Sequence, residues 1–299
     1  MRRLVLFVVA SALAQALCVP ALAQVGNQTQ DVQQEAEKAQ RALDMFLRAQ
    51  KVLFGKGELE LELSTFYSTD ERDTFVRVNS GTALARVESR SVDTALIARY
   101  GLLNDVELDV RIPLVYAEQK VQVGSTESKK DDFGVGDIAA GSKYQVWHED
   151  GGTPDVIFFL DVKSPTGDEP LLGTGHWSVG GGVSLVKTLD PVVLFGRVGY
   201  IVTIEKNGRD PGDEVFYQAG VGYSLNDRVS FNMQVVGAYV QDANLDNHKV
   251  SDSSLEILSL QFGVTVLATK RLFVEPVVNF GLTADAPDVI IGVNVPFRF

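Results

Sequence analysis

A single cysteine, Cys18, and three histidines, His148, His176 and His248, occur in the 299 residues. That scarcity excludes a disulfide framework, and no two histidines share a metal-ligand spacing such as His-x-x-x-His. Beyond the N-terminus the longest unbroken apolar run is Val156–Leu160, far short of the ~20 residues that a spanning helix requires. Basic residues are also few: 27 Lys and Arg stand against 39 Asp and Glu, a formal net charge of −12, which argues against nucleic acid as a partner. A mean hydropathy of +0.06 fits neither a disordered chain nor a helical membrane protein.

What is present begins with a targeting pattern. Arg2 and Arg3 precede the apolar run Leu4–Ala14, and Ala21-Leu22-Ala23 supplies small residues for cleavage, so residues 1–23 read as a secretory signal peptide. Its removal takes away Cys18 and two arginines, moving the net charge from −12 to −14. Residues 24–55 read as a periplasmic helical segment. Val32, Ala36, Ala39, Leu43, Phe46, Gln50 and Leu53 recur at alternating four- and three-residue spacing, which predicts a helix over about Gln30–Phe54. Two of these positions are alanine and one is polar. The pattern therefore suits a plug across or inside a barrel mouth, and also an oligomerising coiled coil; Leu43, Phe46 and Leu53 are the candidate gating residues.

From residue 56 onward the period is two. About twelve segments alternate apolar and polar residues, at roughly 57–67, 86–100, 106–115, 135–147, 155–164, 177–187, 192–202, 214–225, 229–240, 254–267, 271–282 and 288–299. In Val106–Val115, Val106, Leu108, Val110, Ile112 and Leu114 fall on one side and Glu107, Asp109 and Arg111 on the other. A helix would scatter those charges, whereas a strand collects them on one face. The connections alternate too, long and polar after odd segments (68–85, 118–134, 165–176, 203–213, 241–253), tight after even ones. All eight tyrosines fall in phase with the apolar face, and most sit near strand ends, as does Trp177, where rings at a membrane–water interface belong. Together these features predict an all-β, twelve-stranded antiparallel transmembrane barrel over 56–299, integral to the outer membrane of a Gram-negative cell. Pro113, Pro276 and Pro296 lie inside predicted strands and should mark bulges or local edges.

The inward face is then the functional material. It collects Asp93, Arg99, Glu107, Asp109, Arg111, Asp137, Lys143, Asp161, Lys163, Arg197, Arg271 and Glu275 as candidate pore-lining residues, with Gln145, Asp155, Gln218, Asn232, Gln234 and Asn279 beside them. If these charges pair, they brace a closed barrel; if they line water, they select solutes, with a mild cation preference because acids outnumber bases. The ending Val293–Phe299 alternates and finishes on an aromatic, so Phe297 and Phe299 read as the assembly signal for the outer-membrane barrel-assembly machinery.

Catalytic chemistry finds little footing. Gly136–Lys143 only superficially resembles a phosphate loop, and it alternates as a strand. His176-Trp177-Ser178-Val179-Gly180 lacks the glycine two before the serine that a nucleophile elbow uses. The expectation is a non-enzyme with no cofactor and no metal.

Two stretches carry a family resemblance. Gly101–Leu108 leading into Ile112-Pro113-Leu114, then Gly134–Ile138, together with Lys163–Asp168 and Gly173-Thr174-Gly175, resembles the barrel family named for the meta-pathway of phenol degradation. The likeness covers about 86–299 and implies an outer-membrane channel, with uptake of aromatic or other hydrophobic solutes suggested for some relatives. The helix before the barrel is similar in layout to functional-amyloid secretion channels, which implies a gated polypeptide export pore as an alternative. A non-conducting structural or surface-binding barrel is the third. The partners expected are outer-membrane lipid and lipopolysaccharide, the assembly machinery, a small-molecule solute and a second copy of the chain through the N-terminal helix.

Overall fold

A computed structural model describes residues 53–299, apart from 79–80, 170, 247 and 252. The expected signal peptide, and the expected helix with Leu43 and Phe46, lie outside the described residues.

The strands are β1 (Leu59–Val78), β2 (Gly81–Leu103), β3 (Val106–Val123), β4 (Thr126–Val135), β5 (Ala139–Trp147), β6 (Asp155–Lys163), β7 (Ser178–Leu189) and β8 (Val192–Thr203), then β10 (Glu214–Asn226), β11 (Val229–Val240), β14 (Leu255–Leu267), β15 (Phe273–Gly281) and β16 (Val289–Arg298). Three two-residue strands, β9 (Arg209–Asp210), β12 (Asn244–Leu245) and β13 (His248–Lys249), form a small separate sheet in the loops. Every pairing is antiparallel, and the last strand pairs with the first, Glu60 opposite Arg298 and Thr69 opposite Val289. Twelve spanning positions close into a barrel, which satisfies every ladder and leaves no edge at membrane depth.

Alternation sets the two faces. Leu108, Val110, Ile112 and Leu114 are each at least 40% exposed on the outside, whereas Glu107 on the inside has no exposure. All eight tyrosines are outward and exposed, as expected for interfacial girdles. Burying charges on the lipid face would cost roughly 2–4 kcal/mol each at the midplane, so the inward set follows from the membrane as solvent.

Two of the expected long loops are strand instead. Asp70–Val78 pairs with Gly81–Ser89, and Tyr116–Val123 with Thr126–Phe133, so hairpins continue where 68–85 and 118–134 looked irregular. β4 pairs only with the far half of β3, while β5 pairs with its near half. Pro113 stands at the break between them, where the amide of Gly136 donates to the Pro113 carbonyl at 3.0 Å. Pro276 likewise falls where the β14–β15 ladder lapses, between Gly263–Val277 and Val266–Val274. A proline has no N–H to give, and both of these sit where none is asked for.

At the long-loop end, Asp242 ties down residues 241–254. Its carboxylate accepts from the amides of Ser253 (3.1 Å) and Ser254 (2.8 Å) and pairs with Lys249 at 2.8 Å. The Lys249 hydrogen bond is the main cause of a carboxyl pKa held below its ordinary value; burial opposes it and the two amides assist. A depressed folded pKa means the tether is present above the unfolded value, about 3.9, and is lost as pH falls through the folded one. Pepsin, which is active in acid, should therefore spare 241–254 at pH 5 and cut it only well below pH 4. Asp242→Asn should be cut at both.

Candidate functional site

The lumen is built from cross-strand neighbours. Arg99 on β2 donates from Nη1 to Glu60 Oε1 and Glu62 Oε2 on β1, each at 2.7 Å. Arg111 on β3 reaches Asp93 on β2 at 2.6 Å, and Lys143 on β5 bonds Glu107 and lies 3.5 Å from Asp109 on β3. Each of these pairs runs along the wall between adjacent strands, so the charges brace the barrel without crossing its middle. Glu275 is buried on β15.

The pairing changes at β7. Arg197 on β8 reaches back over β7 to Asp161 on β6 at 3.1 Å. It can do so because β7 presents Gly180 and Gly182 inward, opposite Asp161 and Phe159. Its guanidinium lies 3.7 Å from the ring centre of Phe159 and 5.4 Å from that of Phe216, whose rings are 5.8 Å apart. This is cation–π geometry on both rings.

Those rings belong to a wider pattern. Four inward phenylalanines each face a glycine directly across the ladder: Phe66 with Gly292, Phe159 with Gly182, Phe195 with Gly220, and Phe216 with Gly199. A Cβ on Gly182 would come within 2.6 Å of Phe159 Cζ, and one on Gly199 within 2.5 Å of Phe216 Cζ. The glycines let the rings lie flat on the wall, so apolar surface lines the lumen without filling it.

Two cavities follow. One of about 370 Å³ is lined by Glu62, Arg99, Arg111, Lys143, Phe159 and Phe195 among others. The other, about 500 Å³, lies toward the long-loop end and includes Asp161, Lys163, Ser178, Ile201, Thr203 and Phe216. Arg197 and Gln218 line both and mark the division between them.

Other expected residues fall elsewhere. Asp137 sits in the break between β4 and β5, where its carboxylate accepts from the amides of Gly167 and Thr174 (3.1 and 2.9 Å) and from Thr174 Oγ1 (2.8 Å). It staples the loop 165–176 to the wall. Arg271 is not in a strand: it is exposed in the turn before β15, whose ladder starts only at Phe273. Phe297 and Phe299 pack edge to face at 4.9 Å on the outside of the closing strand. His176 points a ring nitrogen at the Ile204 carbonyl, 3.0 Å away.

Leu53 and Phe54 do not end a helix. Phe54 lies inside the tight-turn mouth, 4% exposed, with its amide donating to Glu107 Oε2 at 3.1 Å and its ring 4.8 Å from the Arg298 guanidinium. The backbone of Phe54 and Gly55 crosses directly over Gly101, where a Cβ would overlap the Gly55 carbonyl. The chain then turns at Gly57, at φ +84°, to begin β1. Sequence reasoning missed this latch and the inward phenylalanines; the signal for the latter was phenylalanine in the polar phase of a strand, opposite a glycine once the hairpin register is laid out.

A closed twelve-stranded antiparallel barrel, lipid-facing outside and charge-braced inside, is an integral outer-membrane β-barrel. The chain belongs to the family described as "Putative MetA-pathway of phenol degradation", whose model matches residues 48–299. Among solved structures it is similar in fold to the COG4313 outer membrane channel from Pseudomonas putida F1, with a TM-score of 0.67 at 14% identity, covering 82% of this chain and 97% of that one. It is also similar to the NanC porin, with a TM-score of 0.50 at 11% identity, covering 80% of this chain and all of that one (100%).

Proposed function

We propose that the barrel conducts small, partly hydrophobic solutes across the outer membrane. The observation that carries this reading is the pair of cavities on one path, meeting where Arg197 lies between Phe159 and Phe216. Rings flat on the wall offer an apolar slide, and the facing charges keep the path wet. Volumes of about 370 and 500 Å³ fit small molecules better than a polypeptide in transit. The segment before Phe54, with Leu43 and Phe46, acts as a gate at the tight-turn mouth, a role supported by the docking of Phe54 against Glu107 and Arg298.

Arg197→Ala tests the constriction. Removing the side chain joins the cavities, and unit conductance in planar bilayers should rise by about twofold or more. An unchanged conductance from a folded variant would place the narrowest point elsewhere.

A further inference from the structure

Arg197 is more than an obstruction. Among the described residues its hydrogen bonding is confined to a single contact, Nη2 to Asp161, and its Nε is buried without a partner. Nη1 is therefore uncommitted, at the boundary of the 500 Å³ cavity. Lys163 lines the same cavity. The acid facing it, Asp137, is 3.7 Å away, beyond hydrogen-bond reach, and already accepts three donors from the 165–176 loop. Among the described residues both cations thus hold donors without a hydrogen-bond partner, and the hydroxyl residues Ser178 and Thr203 stand beside them. Ile201, Phe216, Val236 and Ala238 give the cavity an apolar wall, and Asp161, Glu214 and Gln218 add to its polar side.

We infer that this outer cavity is a recognition site for a small aromatic carboxylate. The ring would rest on Phe216 and Ile201, and the carboxylate would take the free donors of Lys163 and Arg197, a charge-assisted contact with a planar fork. Resting on the reading of the barrel as a channel, this names the class of solute it selects. It also departs from the mild cation preference expected from counting acids, because most of those acids are matched along the wall. Glu214, a further acid, lines the same cavity and interacts electrostatically with Lys163. It competes with an arriving carboxylate for that ammonium and tunes the site toward weak, releasable binding.

Isothermal titration of benzoate into the folded full chain in detergent, corrected for empty micelles, reads the site whether or not the barrel conducts. Saturable binding is expected, at least tenfold weaker in Lys163→Gln and in Arg197→Gln and several-fold tighter in Glu214→Gln. Acetate lacks the ring and phenol the carboxylate, so both should bind far more weakly. Benzoate indistinguishable from either, or indifferent to Lys163→Gln, would overturn the inference. Channel function stands or falls separately: a barrel that binds benzoate but never conducts keeps the site and loses the channel, whereas one that conducts without binding benzoate does the reverse.

Discussion

Replacing Arg99 with Met is expected to destabilise the folded barrel by about 3–5 kcal/mol, the range for removing one partner of a buried ion pair. Glu60 has no exposure and Glu62 only 5%, and both carboxylates direct an oxygen at the one guanidinium. Without it, two buried charges on successive inward positions of β1 lose the cation they share, while Arg298 stays 3.9 Å from Glu60. Urea unfolding of the barrel in lipid vesicles measures the loss. The triple variant Glu60→Gln, Glu62→Gln, Arg99→Met should recover most of it, because neutral groups no longer demand a cation. A single variant within about 1 kcal/mol of wild type would show that lumen water solvates these groups fully.

Gly101→Ala is expected to open the tight-turn mouth. One methyl group, placed where the backbone of Phe54 and Gly55 now lies, cannot fit without expelling that segment from the wall. Its cross-strand partner is Glu107, which loses the Phe54 amide when the segment leaves but keeps Lys143, and β2 keeps its ladder partners on both sides. Conductance should increase several-fold over wild type, and Phe54→Ala should act in the same direction by removing the ring that docks on Arg298, a guanidinium that also faces Phe273. The barrel should still resist unfolding in cold detergent in both variants. If both fold and neither changes conductance, the latch is a static brace and the gate lies elsewhere.

Most of the barrel was legible because lipid writes itself into the sequence. Wherever a strand crosses the bilayer, an outward polar residue is costly, so the period of two is sharp, as in Val106–Val115. Beyond the bilayer that selection ends. Asp70–Asp73 carry charges on both faces, and the alternation that defines a strand in hydropathy vanishes although the hairpin pairing continues. The lumen was half legible for a related reason. Equating inward with polar found Arg99, Glu107, Lys143 and Arg197 but passed over Phe66, Phe159, Phe195 and Phe216. Their fit depends on a glycine one strand away, a relation set by register and not by local pattern. Arg271 was misplaced by the two residues that separate a turn from the start of its strand. The end of the N-terminal helix was drawn at Phe54 on heptad spacing alone. The short run Gly55–Gly57 instead turns the chain along the inner wall, where Glu107 captures the Phe54 amide.

Single-channel recording in planar bilayers, comparing the wild-type chain with Gly101→Ala, tests most directly whether this barrel is a conduit closed at one end by its own chain. Infrequent small steps from the wild type and frequent larger ones from the variant are the expected result. Silence from both, with each folded and inserted, would contradict a conducting lumen and leave a braced, closed barrel.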